Sequence, residues 1–251
     1  MAEDIQVNDV SYQYKVAGRP PVLAVRDVSF AVPQSKFLCI LGPSGCGKTT
    51  ILNMLAGFLA PTSGEIRIGG RQLNGRAHDR GVVFQDFAQL FPWRTARRNV
   101  EFGLEMRRVP KAQRAEMALE FLSLVGLQNF ADAFPHQLSG GMQQRVAIAR
   151  SLAYNPGVLL MDEPFAALDA MTREEMQRFL TEIWLRTQKT IVYITHNVAE
   201  AVFLADKVLV LAASPGWIKA ELEVALPRPR DPLSEAFIAV QREILSHFAA
   251  R

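Results

Sequence analysis

The stretch that determines the fold of this chain is Gly42-Pro43-Ser44-Gly45-Cys46-Gly47-Lys48-Thr49-Thr50, called the phosphate loop below. It follows the apolar run 37–41 and precedes the helix-like run 51–56. It matches the pattern G-x-x-x-x-G-K-[ST] in the strand–loop–helix context that this pattern requires. The sequence therefore predicts a loop that binds a polyphosphate.

The residue types in this loop suit phosphate chemistry. Glycines reach the backbone angles that turn successive N–H groups inward, and the following helix N-terminus adds partial positive charge. Lys48 supplies a compact cation for the β- and γ-phosphates, and the Thr49 hydroxyl is a ligand for Mg²⁺. We therefore expect the bound species to be a magnesium nucleotide.

Composition excludes several classes of protein. The chain has 251 residues, of which 49% are hydrophobic and 21% charged, so a packed core is expected and wholesale disorder is not. The length allows one large domain or two small ones. A net charge of +3 is too small to indicate nucleic-acid binding by itself. The two cysteines, Cys39 and Cys46, predict a reducing compartment without a disulfide framework.

The sequence carries no sign of membrane insertion. The N-terminal residues Met1-Ala2-Glu3-Asp4 are acidic and no apolar run follows them, so we expect no secretory signal. No apolar segment approaches the ~20 residues that a bilayer span needs. A membrane role would therefore depend on a separate partner.

The order of predicted elements indicates the architecture. Strand-like pieces within 5–32 predict a small antiparallel layer, with a turn at Gly18-Arg19-Pro20-Pro21. Helical spacing over about 96–107, 111–125 and 141–153 predicts a helical insertion within 86–155. From the apolar strand 158–161 onward, strands alternate with helices, which is typical of a doubly wound parallel sheet. The tail from 215 predicts a peripheral strand and a terminal helix.

Polar residues follow two of the predicted core strands, where α/β sheets place ligand groups. Gln85 follows the strand 81–84, and Asp162-Glu163 follows the strand 158–161. Beside Mg²⁺ and ATP, the first carboxylate would order the metal shell and the second would polarise a water for attack on the γ-phosphate. The alternative is that the carboxylates only cap a helix.

A second glycine-rich stretch opens a predicted helix. It reads Leu138-Ser139-Gly140-Gly141-Met142-Gln143-Gln144-Arg145. Ser139 suits an N-cap, and the same hydroxyl, glycine N–H groups and helix N-terminus also suit an anion site. Two anion sites in one small chain are reasonable if both grip one nucleotide from different subunits.

The ordered set of motifs resembles the ATPase subunits of ABC transporters. It comprises the phosphate loop, Gln85, the signature stretch 138–145, Asp162-Glu163, Ala167-Leu168-Asp169 and His196. The resemblance covers nearly the whole chain, with Ala167 standing where the family often has Ser. It implies an α/β P-loop NTPase fold with a RecA-like parallel sheet core, an N-terminal antiparallel β subdomain and an inserted α-helical subdomain. The implied limits are a single domain over 5–236, with the helical subdomain at about 87–155, and a C-terminal helical tail over 237–251.

The resemblance also implies a role for each matching residue. Glu163 is the implied general base, His196 contacts the γ-phosphate, Asp169 crosses a dimer interface, and Tyr14 stacks on adenine, although its position alone favours an ordinary strand tyrosine. The implied ATP-binding set is Tyr14, Gly42, Pro43, Ser44, Gly45, Cys46, Gly47, Lys48, Thr49 and Thr50. The implied magnesium ligands are Thr49, Gln85 and Asp162, and Gln85 also counts as catalytic. Ser139, Gly140, Gly141 and Gln143 would contact ATP held by the partner subunit.

A finer resemblance concerns transport. The stretches 91–95, 200–206 and 227–231 look like those of ATPases in the nitrate, sulfonate and taurine import group. This implies a homodimer bound to integral membrane permease subunits at the cytoplasmic face of the inner membrane, fed indirectly by a substrate-binding protein. An apolar docking surface for the permease is expected from Phe87, Leu90, Phe91, Pro92 and Trp93, unless these residues are core.

Two other functions are compatible with a phosphate loop. A soluble ABC ATPase acting on nucleic acid or ribosomes is the main alternative, but such proteins carry long coiled coils, zinc-binding cysteines or tandem domains that this chain lacks. No stacking-aromatic motif accompanies the arginines of 94–108, so we expect no nucleic-acid partner. A small-molecule kinase would leave residues 138–145 without a purpose.

Overall fold

The computed structural model describes residues 2–15, 17–18, 20–75, 79–85 and 89–249. The chain divides into two compact units. The phosphate-loop unit comprises residues 2–77 and 190–251, and the signature unit comprises residues 78–189. The predictions for Arg19 in the N-terminal turn, for Phe87 in the docking surface and for the last residues of the tail lie outside the described residues.

The phosphate-loop unit contains two sheets. Its elements are β1 (Ile5–Tyr14), β2 (Val22–Val32), β3 (Phe37–Leu41), α1 (Lys48–Leu55), β4 (Ser63–Ile68), β5 (Arg71–Gln72), β8 (Thr190–Thr195), α6 (Val198–Leu204), β9 (Lys207–Ala212), β10 (Trp217–Glu223) and α7 (Glu235–Ala249). The signature unit contains β6 (Arg80–Val83), α2 (Ala96–Met106), α3 (Lys111–Leu124), α4 (Gly140–Ala153), β7 (Val158–Asp162) and α5 (Ala170–Thr187).

The first sheet of the phosphate-loop unit is the predicted antiparallel layer. Its strand order is β2-β1-β4-β5, and Val7 of β1 lies opposite Phe30 on one side and Ile66 on the other. All three side chains are buried. Cross-strand apolar pairs of this kind fix the register of a sheet.

The second sheet carries the phosphate loop. Its strands within this unit follow the order β10-β9-β3-β8, and β3 runs parallel to both β8 and β9. All five side chains of β3 are fully buried, as in a parallel strand covered on both faces. Because β3 is central and immobilised on both sides, the loop that follows it starts from a rigid support.

A buried arginine, Arg230, links the C-terminal end of α6 to the segment that follows β10. The Arg230 guanidinium is buried and donates to the carbonyl oxygens of five residues, at distances from 2.6 to 3.3 Å: Val202, Phe203, Ala205, Val224 and Leu226. Burial, aided by the neighbouring charge of Arg228, lowers the pKa of Arg230 to about 10, so it stays charged at neutral pH. Three of the five acceptors lie at the C-terminal end of α6, where carbonyls lack helical partners.

The signature unit is mainly helical. The helices predicted over 96–107, 111–125 and 141–153 are confirmed as α2, α3 and α4, with ends within one residue of the prediction. The strands β6 and β7 pair in parallel, with Val83 opposite Met161. The limits of the predicted domain, inserted subdomain and tail stay predictions.

Two smaller features concern the cysteines and the helices. Cys39 and Cys46 are both buried, and neither forms a disulfide. Among the described residues, no helix combines the length and apolar character that a bilayer span requires.

Candidate functional site

The phosphate loop joins β3 to α1. Gly45 and Gly47 have φ values of 78° and 89°, in the left-handed region that favours glycine. Gly47 is the N-cap of α1, and no side chain in the described part of the chain caps this helix. The backbone N–H groups at the start of α1 are therefore the donors that an anion would meet.

Lys48 holds its charge inside the loop. Its side chain is only 7% exposed, and its Nζ donates to the carbonyl oxygens of Gly42 at 2.8 Å and Pro43 at 3.0 Å. These bonds draw the ammonium back across the start of the loop. The loop thus carries a fixed cation beside the helix N-terminus, which is the arrangement that a polyphosphate requires.

Tyr14 is linked to the helix that follows the loop. Its hydroxyl lies 3.1 Å from the Thr50 Oγ1, and its ring meets the Tyr12 ring edge-on with centroids 4.9 Å apart. The side chain is 39% exposed, so part of the ring is open to a planar ligand. Its proximity to the phosphate loop agrees with the predicted adenine platform, and its role stays a prediction.

His196 follows β8 in a tightly bonded turn. Thr195 Oγ1 donates to the buried Glu200 carboxylate and accepts the Asn197 N–H at 3.0 Å. The Asn197 side chain in turn caps α6 by accepting the Glu200 N–H at 3.2 Å. These bonds fix the backbone on both sides of His196, so the imidazole projects from a rigid turn.

Gln85, Asp162 and Glu163 lie at the same edge of the signature unit, at or just beyond the ends of β6 and β7. Since Val83 pairs with Met161 in parallel strands, Gln85 and Asp162 both emerge at the carboxyl ends of β6 and β7. Glu163 has a φ of 42°, a left-handed conformation that costs a non-glycine residue about 1–2 kcal/mol. Such strain persists where the surroundings impose it, and it is concentrated at functional sites.

Gln89 forms hydrogen bonds both to Phe84 and to residues of helix α4. Gln89 bonds both the N–H and the carbonyl of Phe84, at 3.2 and 3.0 Å, and its amide also reaches Gln144 Oε1 at 3.4 Å. Arg150 of α4 donates to the Gln89 carbonyl at 2.7 Å. Nothing in the local sequence pattern around Gln89 indicates this link, so it was not predicted.

The signature stretch begins α4 with Ser139 as N-cap. The Ser139 hydroxyl accepts the Met142 N–H at 3.3 Å, and Gln143 Nε2 donates to the Leu138 carbonyl at 3.1 Å. A Cβ on Gly141 would lie 2.9 Å from the Thr172 methyl, so a larger residue there would displace the Thr172 side chain. The predicted cap is present, and the predicted contact with a partner's ATP stays a prediction.

Asp169 caps the neighbouring helix α5. Its carboxylate accepts the Thr172 N–H at 3.0 Å and the Thr172 hydroxyl at 2.7 Å. These two donors, the backbone N–H first, lower the pKa of Asp169 below its ordinary value. Asp169 is therefore anionic at neutral pH and exposed, as a residue facing a partner would be.

The predicted docking surface is partly wrong. Leu90 is buried in the signature unit, so it cannot contact a partner. Phe91 is half-buried against the Phe102 ring, with centroids 4.7 Å apart. Trp93 is 71% exposed and remains available.

The structure distributes the predicted residues between the two units. Tyr14, the phosphate loop and His196 belong to the phosphate-loop unit, where Tyr14 and the loop are joined through Thr50. Gln85, Asp162 and Glu163 belong to the signature unit and share one strand edge. Ser139 and Asp169 also lie there, each at a helix N-terminus.

Comparison with known proteins identifies the class. Residues 25–166 match the family model described as ABC transporter. The ATP-binding cassette solved as a dimer in a post-hydrolysis state with ADP and Pi superposes with a TM-score of 0.77 and 34% identity, covering 89% of this chain and all of that one. The chain belongs to the ABC transporter family. It is an ATPase whose hydrolysis of ATP is coupled to transport, and the predicted P-loop NTPase fold is confirmed.

The relatives by sequence include import proteins. An uncharacterised ABC transporter ATP-binding protein of Methanocaldococcus jannaschii is 51% identical, covering 90% of this chain and 84% of that protein. The nitrate import ATP-binding protein NrtD of Synechocystis sp. is 46% identical, covering 95% and 89%. The taurine import ATP-binding protein TauB of Pseudomonas entomophila is 49% identical, covering 88% and 83%.

Proposed function

We propose that this chain is the ATP-hydrolysing subunit of an importer for a small anionic solute, either nitrate or a sulfonate such as taurine. The observation that carries the proposal is the near-complete coverage of relatives named for nitrate and taurine import, at 46% and 49% identity. The site residues described above supply the chemistry that such a subunit needs. The importer would also comprise integral membrane permease subunits and a substrate-binding protein.

Nucleotide binding would centre on the phosphate loop. The uncapped start of α1 and the ammonium of Lys48 suit the phosphates, and the exposed part of Tyr14 suits the adenine. Thr49, Gln85 and Asp162 offer a hydroxyl, an amide carbonyl and a carboxylate, the hard oxygen ligands that Mg²⁺ prefers. Bound there, Mg²⁺ would neutralise charge on the β- and γ-phosphates.

Hydrolysis would depend on Glu163 and His196. Glu163, held in its left-handed conformation beside Asp162, would accept a proton from the attacking water. His196, held between the bonded residues Thr195 and Asn197, would contact the γ-phosphate. Both roles require a rigid backbone, because displacement of a catalytic group by about 1 Å can cost a factor of about 100 in rate.

The active unit would be a head-to-tail homodimer. Ser139, Gly140, Gly141 and Gln143 would meet the nucleotide on the partner's phosphate loop, and the exposed anionic Asp169 would cross the interface. The relative solved as a dimer supports this assembly. Loss of the γ-phosphate would remove the group that both subunits hold, and the dimer would open.

Contact with the permease would place the subunit at the cytoplasmic face of the inner membrane. Exposed Trp93, next to half-buried Phe91, offers an aromatic anchor of the kind that dominates protein interfaces. Recovery of an integral membrane protein with the tagged chain would support this contact. Recovery of ribosomes or RNA instead would favour the soluble alternative.

Substitution of Glu163 tests the proposed function. Glu163→Gln keeps the shape and removes the base, so ATP binds and the closed dimer accumulates. Size-exclusion chromatography with ATP and Mg²⁺ should show a dimer with hydrolysis reduced at least about 100-fold. Glu175→Gln, at an exposed position of α5, is the matched control and should behave as the wild type. Full hydrolytic activity of Glu163→Gln would exclude Glu163 as the base.

The solute is tested in cells. Growth of a deletion strain on taurine, an alkanesulfonate or nitrate as the single sulfur or nitrogen source should be lost for one of these and restored by the gene. Restoration on none of them would contradict the proposed substrate class.

A further inference from the structure

The end of β9 and the turn that follows it pack against the phosphate loop, at its first residue and at its middle. A Cβ on Gly42 would lie 3.1 Å from the Leu211 carbonyl oxygen, near the end of β9. A Cβ on Gly216, which precedes β10, would lie only 2.0 Å from the Cys46 carbonyl oxygen. The hairpin therefore supports the loop from behind, although it is about 170 residues away in the sequence.

Gly216 is held in place by β2. Its N–H donates to the Ala24 carbonyl at 2.9 Å, and its carbonyl accepts the Arg26 N–H at 2.8 Å, forming a parallel bridge with Val25. The same strand also approaches the phosphate loop, because a Cβ on Gly47 would lie 2.9 Å from the Ala24 carbonyl oxygen. Gly216 is buried, and the two backbone hydrogen bonds hold it against β2.

This contact determines which way a peptide group of the loop faces. In a planar trans peptide the carbonyl and the following N–H point in opposite directions. The Cys46 carbonyl points at Gly216, so the Gly47 N–H points away from the hairpin. The N–H groups at the start of α1, including that of Gly47, are the donors that the proposed nucleotide would meet.

We propose that Gly216 is a positioning residue for nucleotide binding. By leaving space for the Cys46 carbonyl, it fixes the peptide that aims the Gly47 N–H at the phosphates. This inference rests on the proposed function, because it assumes that the phosphate loop binds ATP. The inference adds Gly216, a residue of the β9–β10 turn that lies outside all of the sequence motifs, to the residues that determine ATP affinity.

A single added methyl group tests the proposal. Gly216 has no left-handed φ, so Gly216→Ala adds no strain at φ. Its Cβ would lie 2.0 Å from the Cys46 carbonyl oxygen, the closest conflict, and 3.3 Å from the Ala24 carbonyl oxygen. A real Cβ keeps at least 3.0 Å from other atoms, so Gly216 and the Cys46 peptide must separate by about 1 Å. Titration with a fluorescent ATP analogue should show a dissociation constant raised at least tenfold. Ala213→Ser adds one atom at an exposed position of the same turn and should leave it unchanged.

A structural defect alone must be distinguished from mispositioning. Both variants are titrated at a temperature at which circular dichroism shows them folded. A defect confined to stability would lower the melting temperature and leave the dissociation constant of the folded protein unchanged, which would overturn the proposal.

The wild-type protein provides a measurement that does not depend on a variant's folding. With ¹⁵N-glycine labelling, Mg²⁺ and ATP should shift the amide resonance of Gly216 together with those of Gly45 and Gly47. Shifts of the loop glycines without Gly216 would overturn this inference and leave the proposed function standing. No shift of the loop glycines would overturn the proposed function itself.

Discussion

The N-termini of helices α1 and α4, which we propose as anion sites, are built in two different ways. Helix α1 begins at the phosphate loop, where, within the described ranges, no side chain caps it, and Lys48 brings a cation. Helix α4 begins at Ser139, whose own hydroxyl accepts the Met142 N–H at 3.3 Å. At the α1 site the β9–β10 turn packs against the phosphate loop. At the α4 site one of the free helical N–H groups is already bonded to Ser139.

This difference in capping and charge affects how each site would bind a phosphate. At α1 the backbone donors and the charge are present before any ligand arrives, so binding requires little rearrangement. At α4 the Ser139 hydroxyl has one donor and two acceptor positions, so it can cap the helix and donate to an anion at the same time. The signature stretch 138–145 contains no lysine, as expected if it completes the proposed site for a nucleotide held on the partner's phosphate loop.

Removal of the cation from the α1 site should have the largest effect. Lys48→Ala leaves the helix N-terminus alone to meet the phosphates, and loss of a charge-assisted contact of about 3 kcal/mol lowers ATP affinity about 100-fold. Fluorescent-ATP titration measures this change. Lys36→Ala, at an exposed position of the same unit, is the control. An affinity within threefold of the wild type would mean that α1 alone suffices.

Substitution of Ser139 should separate the two tasks of the α4 site. Ser139→Ala removes the cap at a cost of about 1 kcal/mol in unfolding free energy, and it should reduce the ATPase rate about tenfold. Ser139→Asn restores the cap but not the hydroxyl, so stability should recover and the rate should not. Urea unfolding and phosphate release measure the two quantities.

The outcome for Ser139→Asn decides between capping and anion binding. Ser123→Ala, at an exposed position of α3, controls for loss of a hydroxyl. Recovery of both rate and stability in Ser139→Asn would mean that the α4 site serves only the helix.

The smallest effect should come from the cap of α5. Because the Thr172 donors lower the pKa of Asp169, ionised Asp169 stabilises the fold above the unfolded pKa, which is about 4. This stabilisation is lost as the pH falls through the lower folded pKa. The difference in urea midpoint between wild type and Asp169→Ala should therefore be small at pH 7 and shrink below about pH 4. A constant difference from pH 7 to pH 3 would show that ionised Asp169 does not contribute.

Local patterns in the sequence predicted the fold well where the residue types and the spacing of apolar residues indicate the same element. The phosphate loop, the buried strand β7 and the helices α2 to α4 each have a signal within about 15 residues. Burial of Leu90 and the link between Gln89 and Gln144 had no such signal, because they depend on contacts between distant segments. Gly216 is the clearest case, since its proposed role depends on its contact with the Cys46 carbonyl, about 170 residues away in the sequence.

The buried Arg230 gives a structural reason for the segment 227–231, which the sequence indicated only through its resemblance to importer ATPases. Five carbonyl oxygens share this one guanidinium as a donor. A chain shortened at Leu226 would leave the last turn of α6 with carbonyls facing an apolar interior, and each such group costs about 1–3 kcal/mol. The short helix after His196 would then lose its anchor, so trimming the tail would also disturb the turn that holds His196.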